Sequence, residues 1–190
     1  MQPLFLRKIM LRISLFLLFL FASFLYSFTG VGEGASAVSE VKHVAKPDLS
    51  AELFRDMQLE GKVNYTAFRQ AVTGYYRITQ RKRDILTLID FSKPSTEKRL
   101  YVFDMKEKKM LFSSVVAHGK NSGGVYATSF SNEYGSYKSS LGFYLTASTY
   151  QGKNGYSLIL DGLEKGINDR ARERAIVVHG AAYADPSVIR

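Results

Sequence analysis

The 190-residue sequence contains no cysteine, no tryptophan and only three histidines. Without cysteine no disulfide can staple the fold, and no thiol can act as nucleophile or metal ligand. Zinc takes three or four ligands from His, Cys and carboxylate. The histidines are His43, His118 and His179, and His43 lies in a polar stretch near the start of the chain. No metal and no other cofactor is therefore expected. Gly119-Lys120-Asn121-Ser122 has neither the glycine spacing nor the following helix of a phosphate-binding loop. No internal repeat and no low-complexity tract is present, which excludes solenoids and arrays.

What the chain does have begins with a basic start, Arg7, Lys8 and Arg12. An almost unbroken apolar run over residues 13–28 follows, interrupted only by Ser14, Ser23 and Ser27. This run falls short of the roughly 20 apolar residues of a spanning helix. After it come Gly30, Gly32, Gly34 and the small triplet Ala35-Ser36-Ala37. The layout is that of a signal peptide, residues 1–37, cleaved after Ala37, with an uncleaved anchor as the alternative. Either version carries the body across the cytoplasmic membrane, because no second apolar run fixes another topology. The expected location is periplasmic or cell-wall associated, with membrane contact only through the leader.

The formal net charge is +9, and the body stays basic once the leader is removed. An exported basic surface meets anionic wall polymers and acidic peptides rather than nucleic acid. The remaining chain, about 150 residues, is enough for one domain with a core, to which its many Tyr and Phe side chains contribute. Residues 38–46 read as a tether. Residues 47–76 read as a small helical prefix: Asp48 and Ser50 are candidate caps for a first helix, ended by Gly61. Asn64 caps a second helix with Phe68, Ala71, Val72 and Tyr75 on one face and Gly74 at its end. The simplest role for this prefix is to pack on the sheet that follows.

Residues 84–190 read as a β domain. Strands are expected over residues 85–91, 100–104 and 110–116, the last two forming a hairpin across a charged, solvated turn. Recurrent glycines then punctuate further short strands at 143–146 and 156–160. Asn168 or Asp169 is placed to cap a brief helix through Arg174, and Ala175-Ile176-Val177-Val178 reads as a buried central strand with His179 at its end. An imidazole emerging there, followed by Gly180, is a geometry in which a backbone carbonyl can orient the ring. A single histidine can equally be a structural group.

Several segments together suggest more. They are the loop His118-Gly119-Lys120-Asn121-Ser122-Gly123, residues 127–132, 135–144 and 160–166, and residues 172–183. With them, the stretch from about residue 100 to 189 resembles the catalytic domain of the murein L,D-transpeptidases, in the branch that carries a His-Gly-Lys-Asn-Ser-Gly loop. The resemblance implies a mainly β domain, sandwich- or barrel-like and α+β overall once the prefix is counted. It also implies a cysteine acyltransferase acting on peptidoglycan stem peptides. In that family a cysteine within Ser-x-Gly-Cys attacks a stem-peptide carbonyl, a histidine acts as its base, and an amine or water resolves the thioester. His179 matches that base and Gly180 the residue whose carbonyl orients it. Ser140, Gly142, Tyr144 and Tyr183 are expected to line the substrate groove.

The family's cysteine lies farther beyond the His-Gly pair than the residues remaining here. The expectation is therefore a chain that stops before its nucleophile and is catalytically silent as it stands. A non-catalytic peptidoglycan-binding protein is the alternative, and a third possibility is a chain that aggregates through an uncovered sheet edge. On the first expectation, reading the coding sequence past the codon for Arg190 should reveal Ser-x-Gly-Cys in one of the frames. Its absence from all of them would remove the truncation account.

Overall fold

A computed structural model describes residues 48–185. The expected leader and tether lie outside the described residues. All described residues belong to one compact unit. No helix among them is long and apolar enough to cross a membrane.

Two helices come first. Helix α1, Leu49–Asp56, starts where the Asp48 carboxylate accepts from the Ser50 amide at 3.0 Å, so Asp48 rather than Ser50 is the cap. Helix α2, Tyr65–Arg77, is capped by Asn64, whose Oδ1 accepts from Ala67 N at 3.0 Å. Tyr65 ties the two starts together by donating to Asp48 Oδ2 at 2.8 Å.

The strands form two antiparallel three-stranded sheets, ordered β1-β2-β3 and β4-β5-β6. Strands β1 (Ile85–Ile89), β2 (Leu100–Asp104) and β3 (Lys109–Ser114) make the first. Strands β4 (Tyr144–Gly152), β5 (Gly155–Gly162) and β6 (Val177–His179) make the second. The fold is mostly β with two helices, as the sequence suggests. In the β2–β3 turn the Asp104 carboxylate accepts from the amides of Lys106 and Glu107, an Asx arrangement that closes a charged tip. Lys108 reaches from this tip to Asp56 at 2.7 Å. A bulge between Val102 and Phe103 leaves Leu111 as the extra residue on β3, so Leu111 and Phe112 are both exposed.

The principal apolar core lies between the helices and the first sheet. Leu53, Phe54, Met57, Leu59, Val63, Phe68, Val72 and Tyr75 pack there with Leu88, Tyr101 and Phe103. Phe68 and Phe103 are fully buried and meet edge to face, with ring centroids 5.3 Å apart. The helical prefix therefore packs on the following sheet, because the apolar face of α2 and the inward face of β2 have each other as partner.

Three readings of the sequence need correcting. Gly74 does not end α2, which runs on to Arg77 while the Gly74 carbonyl accepts from Ile78 N. A Cβ at Gly74 would run into the Phe143 ring, so this glycine marks a close approach rather than a terminus. Residues 168–174 form successive turns and not a helix, because the Asn168 side chain points inward instead of capping. Strand β6 is neither buried nor central. It is half-buried, pairs only with β5 among the described residues, and is short.

Alanine has a helix propensity better than glycine's by roughly 1 kcal/mol, so Gly74→Ala would stabilise an open helix. Against the Phe143 ring it is instead expected to destabilise by about 1–3 kcal/mol, the usual cost of overpacking. In a Phe143→Ala background the same change should become stabilising. Urea unfolding of the four variants measures this coupling, and a more stable Gly74→Ala in the wild-type background contradicts the contact.

Candidate functional site

Between β3 and β4 the chain runs through residues 115–143 with no helix or strand. A loop of that length inside a folded domain is either functional or held by its own side chains. Here serines sew it together. Ser122, fully buried, accepts from Ser139 N at its Oγ (2.8 Å), and its carbonyl accepts from the amides of Thr128 and Ser129. Ser139 Oγ in turn accepts from Gly119 N at 3.0 Å.

Two buried residues fix the outer parts of this loop. Arg99 has no exposed surface. Its guanidinium donates to the carbonyls of Lys93 (2.9 Å) and Val116 (2.7 and 3.0 Å) and to His118 Nδ1 (2.9 Å). Burial pulls the Arg99 pKa below its ordinary range, while the Asp90 carboxylate opposes that shift. Guanidinium nitrogens only donate, so His118 Nδ1 accepts, and Nε2 carries the proton directed at Gly123 O, 3.2 Å away. Both ring nitrogens of His118 are occupied in holding its own loop closed.

At the other end Arg174 donates to the carbonyls of Ser131 (2.6 Å) and Lys138 (2.7 Å) and to the hydroxyls of Ser136 and Ser140. Ser140 Oγ donates to Ser131 O at 2.8 Å. Asn168, also without exposed surface, uses Nδ2 to donate to Leu141 O and Phe143 O, both at 3.0 Å, and Oδ1 to accept from Glu164 N at 2.8 Å. Glu164 Oε2 accepts from Phe143 N at 2.7 Å. Gly142 lies in this knot at φ +102°, where a Cβ would strike the Glu164 carboxylate and the Asn168 amide. The segments quoted for the family resemblance are thus largely those that this polar network ties together.

Ser140, Gly142 and Tyr144 lie together. Ser140 is buried, and the half-buried Tyr144 donates its hydroxyl to Ser140 O at 3.0 Å. Burial raises the Tyr144 pKa, which keeps that hydroxyl a donor. His179 lies elsewhere on the sheet. It pairs with Ser157, whereas Tyr144 pairs with Gly162 farther along β5, a separation of roughly 16 Å at the ordinary strand rise. His179 Nδ1 lies 2.8 Å from Gly180 O. A carbonyl only accepts, so Nδ1 carries the proton and Nε2 keeps its lone pair. Tyr183 follows in a short 3-10 turn, Ala182–Ala184, and is 64% exposed.

Sequence reasoning missed Arg99, Asn168 and Arg174 as organising residues. The usable signal for Arg99 was weak, a cation next to Lys98 directly ahead of the apolar strand Leu100–Asp104. Asn168 was read as a cap, and Arg174 sat unremarked among alternating charges.

Residues 59–190 match the family model described as L,D-transpeptidase catalytic domain. The match starts inside the helical prefix, ahead of the motifs recognised from about residue 100. No curated protein and no solved structure matches the chain.

The Asn168 clasp generates a prediction. Asn168→Ala removes the partner of Leu141 O and of Glu164 N, while Phe143 O keeps only the Leu163 amide, which should cost about 1–3 kcal/mol. Asn168→Asp should be worse at neutral pH, because it turns a carboxylate oxygen toward the same two carbonyls. Chemical unfolding ranks the variants, and an Asp variant at least as stable as the Ala variant contradicts this orientation of the amide.

Proposed function

The chain belongs to the family of L,D-transpeptidase catalytic domains, and on that premise we propose that it engages peptidoglycan stem peptides outside the cytoplasmic membrane without forming the family's thioester. The observation that carries this reading is the His179–Gly180 pair. The Gly180 carbonyl takes the Nδ1 proton at 2.8 Å, leaving Nε2 as the nitrogen able to accept a proton from an attacking group. That is the duty of the family's histidine toward its cysteine. This chain has the base and its orienting carbonyl, but no thiol anywhere in its sequence. The serines at hand are otherwise engaged: Ser139 and Ser140 hold the loop network, and Ser157, paired with His179 across the sheet, is buried with its hydroxyl donating to Gly155 O at 3.1 Å.

The partners of His179 and Tyr144 on β5, Ser157 and Gly162, are five positions apart, and an odd spacing along a strand turns side chains to opposite faces of the sheet. The candidate residues therefore form two separate places, Ser140, Gly142 and Tyr144 on one face and His179 with Gly180 on the other, and a stem peptide would engage the His179 face. The net charge of +9 favours an acidic peptide. The apolar leader of residues 13–28, read as a signal peptide, supports a periplasmic or wall location.

Non-catalytic binding is the form of this function open to a chain without cysteine. It is expected to sediment with purified peptidoglycan. After incubation with a carbapenem its intact mass should be unchanged, since no thiol is present to be acylated. Failure to sediment removes the binding role, and a covalent adduct shows that another group acts as nucleophile.

A further inference from the structure

Tyr137 adopts φ +54°, the left-handed region that a large L side chain occupies only at a cost in strain. The neighbouring hydrogen bonds hold it there. Asn121 N donates to Tyr137 O at 3.1 Å and Asn121 Nδ2 to Ser136 O at 2.9 Å. Arg174 donates to Ser136 Oγ at 3.0 Å and to Lys138 O at 2.7 Å. A turn needing only this backbone shape is met more cheaply by glycine, which the same loop uses at Gly135, φ +70°. The strained position nevertheless carries an aromatic ring, and that ring is not used in packing, since Tyr137 is 62% exposed. Strain held by surrounding structure at an exposed side chain points to a ligand contact.

The ring has a charged companion. Lys120 Nζ lies 4.0 Å from its centroid. No carboxylate among the described residues pairs with Lys120, and the loop's own acid, Glu133, is directed at Arg170. Lys138, by contrast, is engaged with Ser129 Oγ. The surface therefore offers an exposed aromatic face beside an ammonium that no described carboxylate neutralises, next to loop backbone held by several hydrogen bonds.

We propose that Tyr137 and Lys120 form a recognition site for a carboxylate-bearing peptide: the ammonium pairs with the carboxylate, and the ring packs against the adjoining chain. The peptide's identity as an acidic stem peptide rests on the peptidoglycan reading above, whereas the site itself rests on the strained ring and its cation.

The test compares the full-length wild type with Tyr137→Gly, Tyr137→Phe and Lys120→Gln. The probe is the free tetrapeptide L-Ala-γ-D-Glu-diaminopimelate-D-Ala, followed by calorimetry at two salt concentrations, with thermal unfolding and sedimentation with intact peptidoglycan run in parallel. Tyr137→Gly relieves the backbone, so its Tm should be unchanged or raised while its tetrapeptide affinity falls at least tenfold. Tyr137→Phe should bind as the wild type does, and Lys120→Gln should lose most of the salt dependence. A lowered Tm in Tyr137→Gly would make the ring a structural element and overturn the proposal. Equal tetrapeptide affinity of wild type and Tyr137→Gly also overturns it, and the peptidoglycan reading stands if the wild type still sediments. A wild type that does not sediment removes that reading, while a tetrapeptide affinity lost in Tyr137→Gly would still support the site.

Discussion

Arg174 spreads its guanidinium over a single loop, donating to Ser131 O, Ser136 Oγ, Lys138 O and Ser140 Oγ. A planar fork with donors only has little choice of partner, so the loop is set against the root of β6 in one arrangement. This matters because the second half of the protein has little apolar interior to do the same work. The clustered core belongs to the helices and the first sheet. Around the second sheet the buried residues include Ser122, Ser140, Ser157 and Asn168. One half is organised by non-directional burial and the other by directed hydrogen bonds, and the candidate site lies in the directed half.

The consequence for function is positional. Arg174 is followed by Ala175 at φ +53° and then by β6, which ends at His179. The arginine that clasps loop 131–140, the turn after it and His179 therefore lie on one continuous stretch of chain, and Asn168 holds Leu141 and Phe143 through their carbonyls. Phe143 links the halves through its contact with Gly74, so the helical prefix bears on the end of the loop between Ser140 and the start of β4 at Tyr144.

Much of the apolar half was legible in the sequence. Asp48 and Asn64 announced helix starts, the spacing of Phe68, Ala71, Val72 and Tyr75 announced the face of α2, and residues 100–116 announced a hairpin, because caps and periodicity are local properties. The polar half was not legible in the same way. Asn168 has the same local signature whether it caps a helix or turns inward to two carbonyls. An arginine at position 99 or 174 defaults to solvent unless its acceptors are known, and apart from Lys93 O, six residues from Arg99, these are 17 to 43 residues distant in the chain. The apolar run before His179 looked like a buried strand because hydrophobic residues at a sheet edge and at its centre read alike. The His-Gly pair was visible as a motif, but the direction of its proton followed only from the Gly180 carbonyl.

The two described histidines express the account in opposite ways: Arg99 forces His118 to accept at Nδ1, and Gly180 forces His179 to donate there. The most direct measurement is the long-range 1H–15N spectrum of both imidazoles at a pH where they are neutral. The account predicts a proton on Nε2 of His118 and on Nδ1 of His179. A His179 ring protonated at Nε2 would leave no lone pair facing an incoming group, and the reading of this residue as a base poised for proton transfer would be wrong.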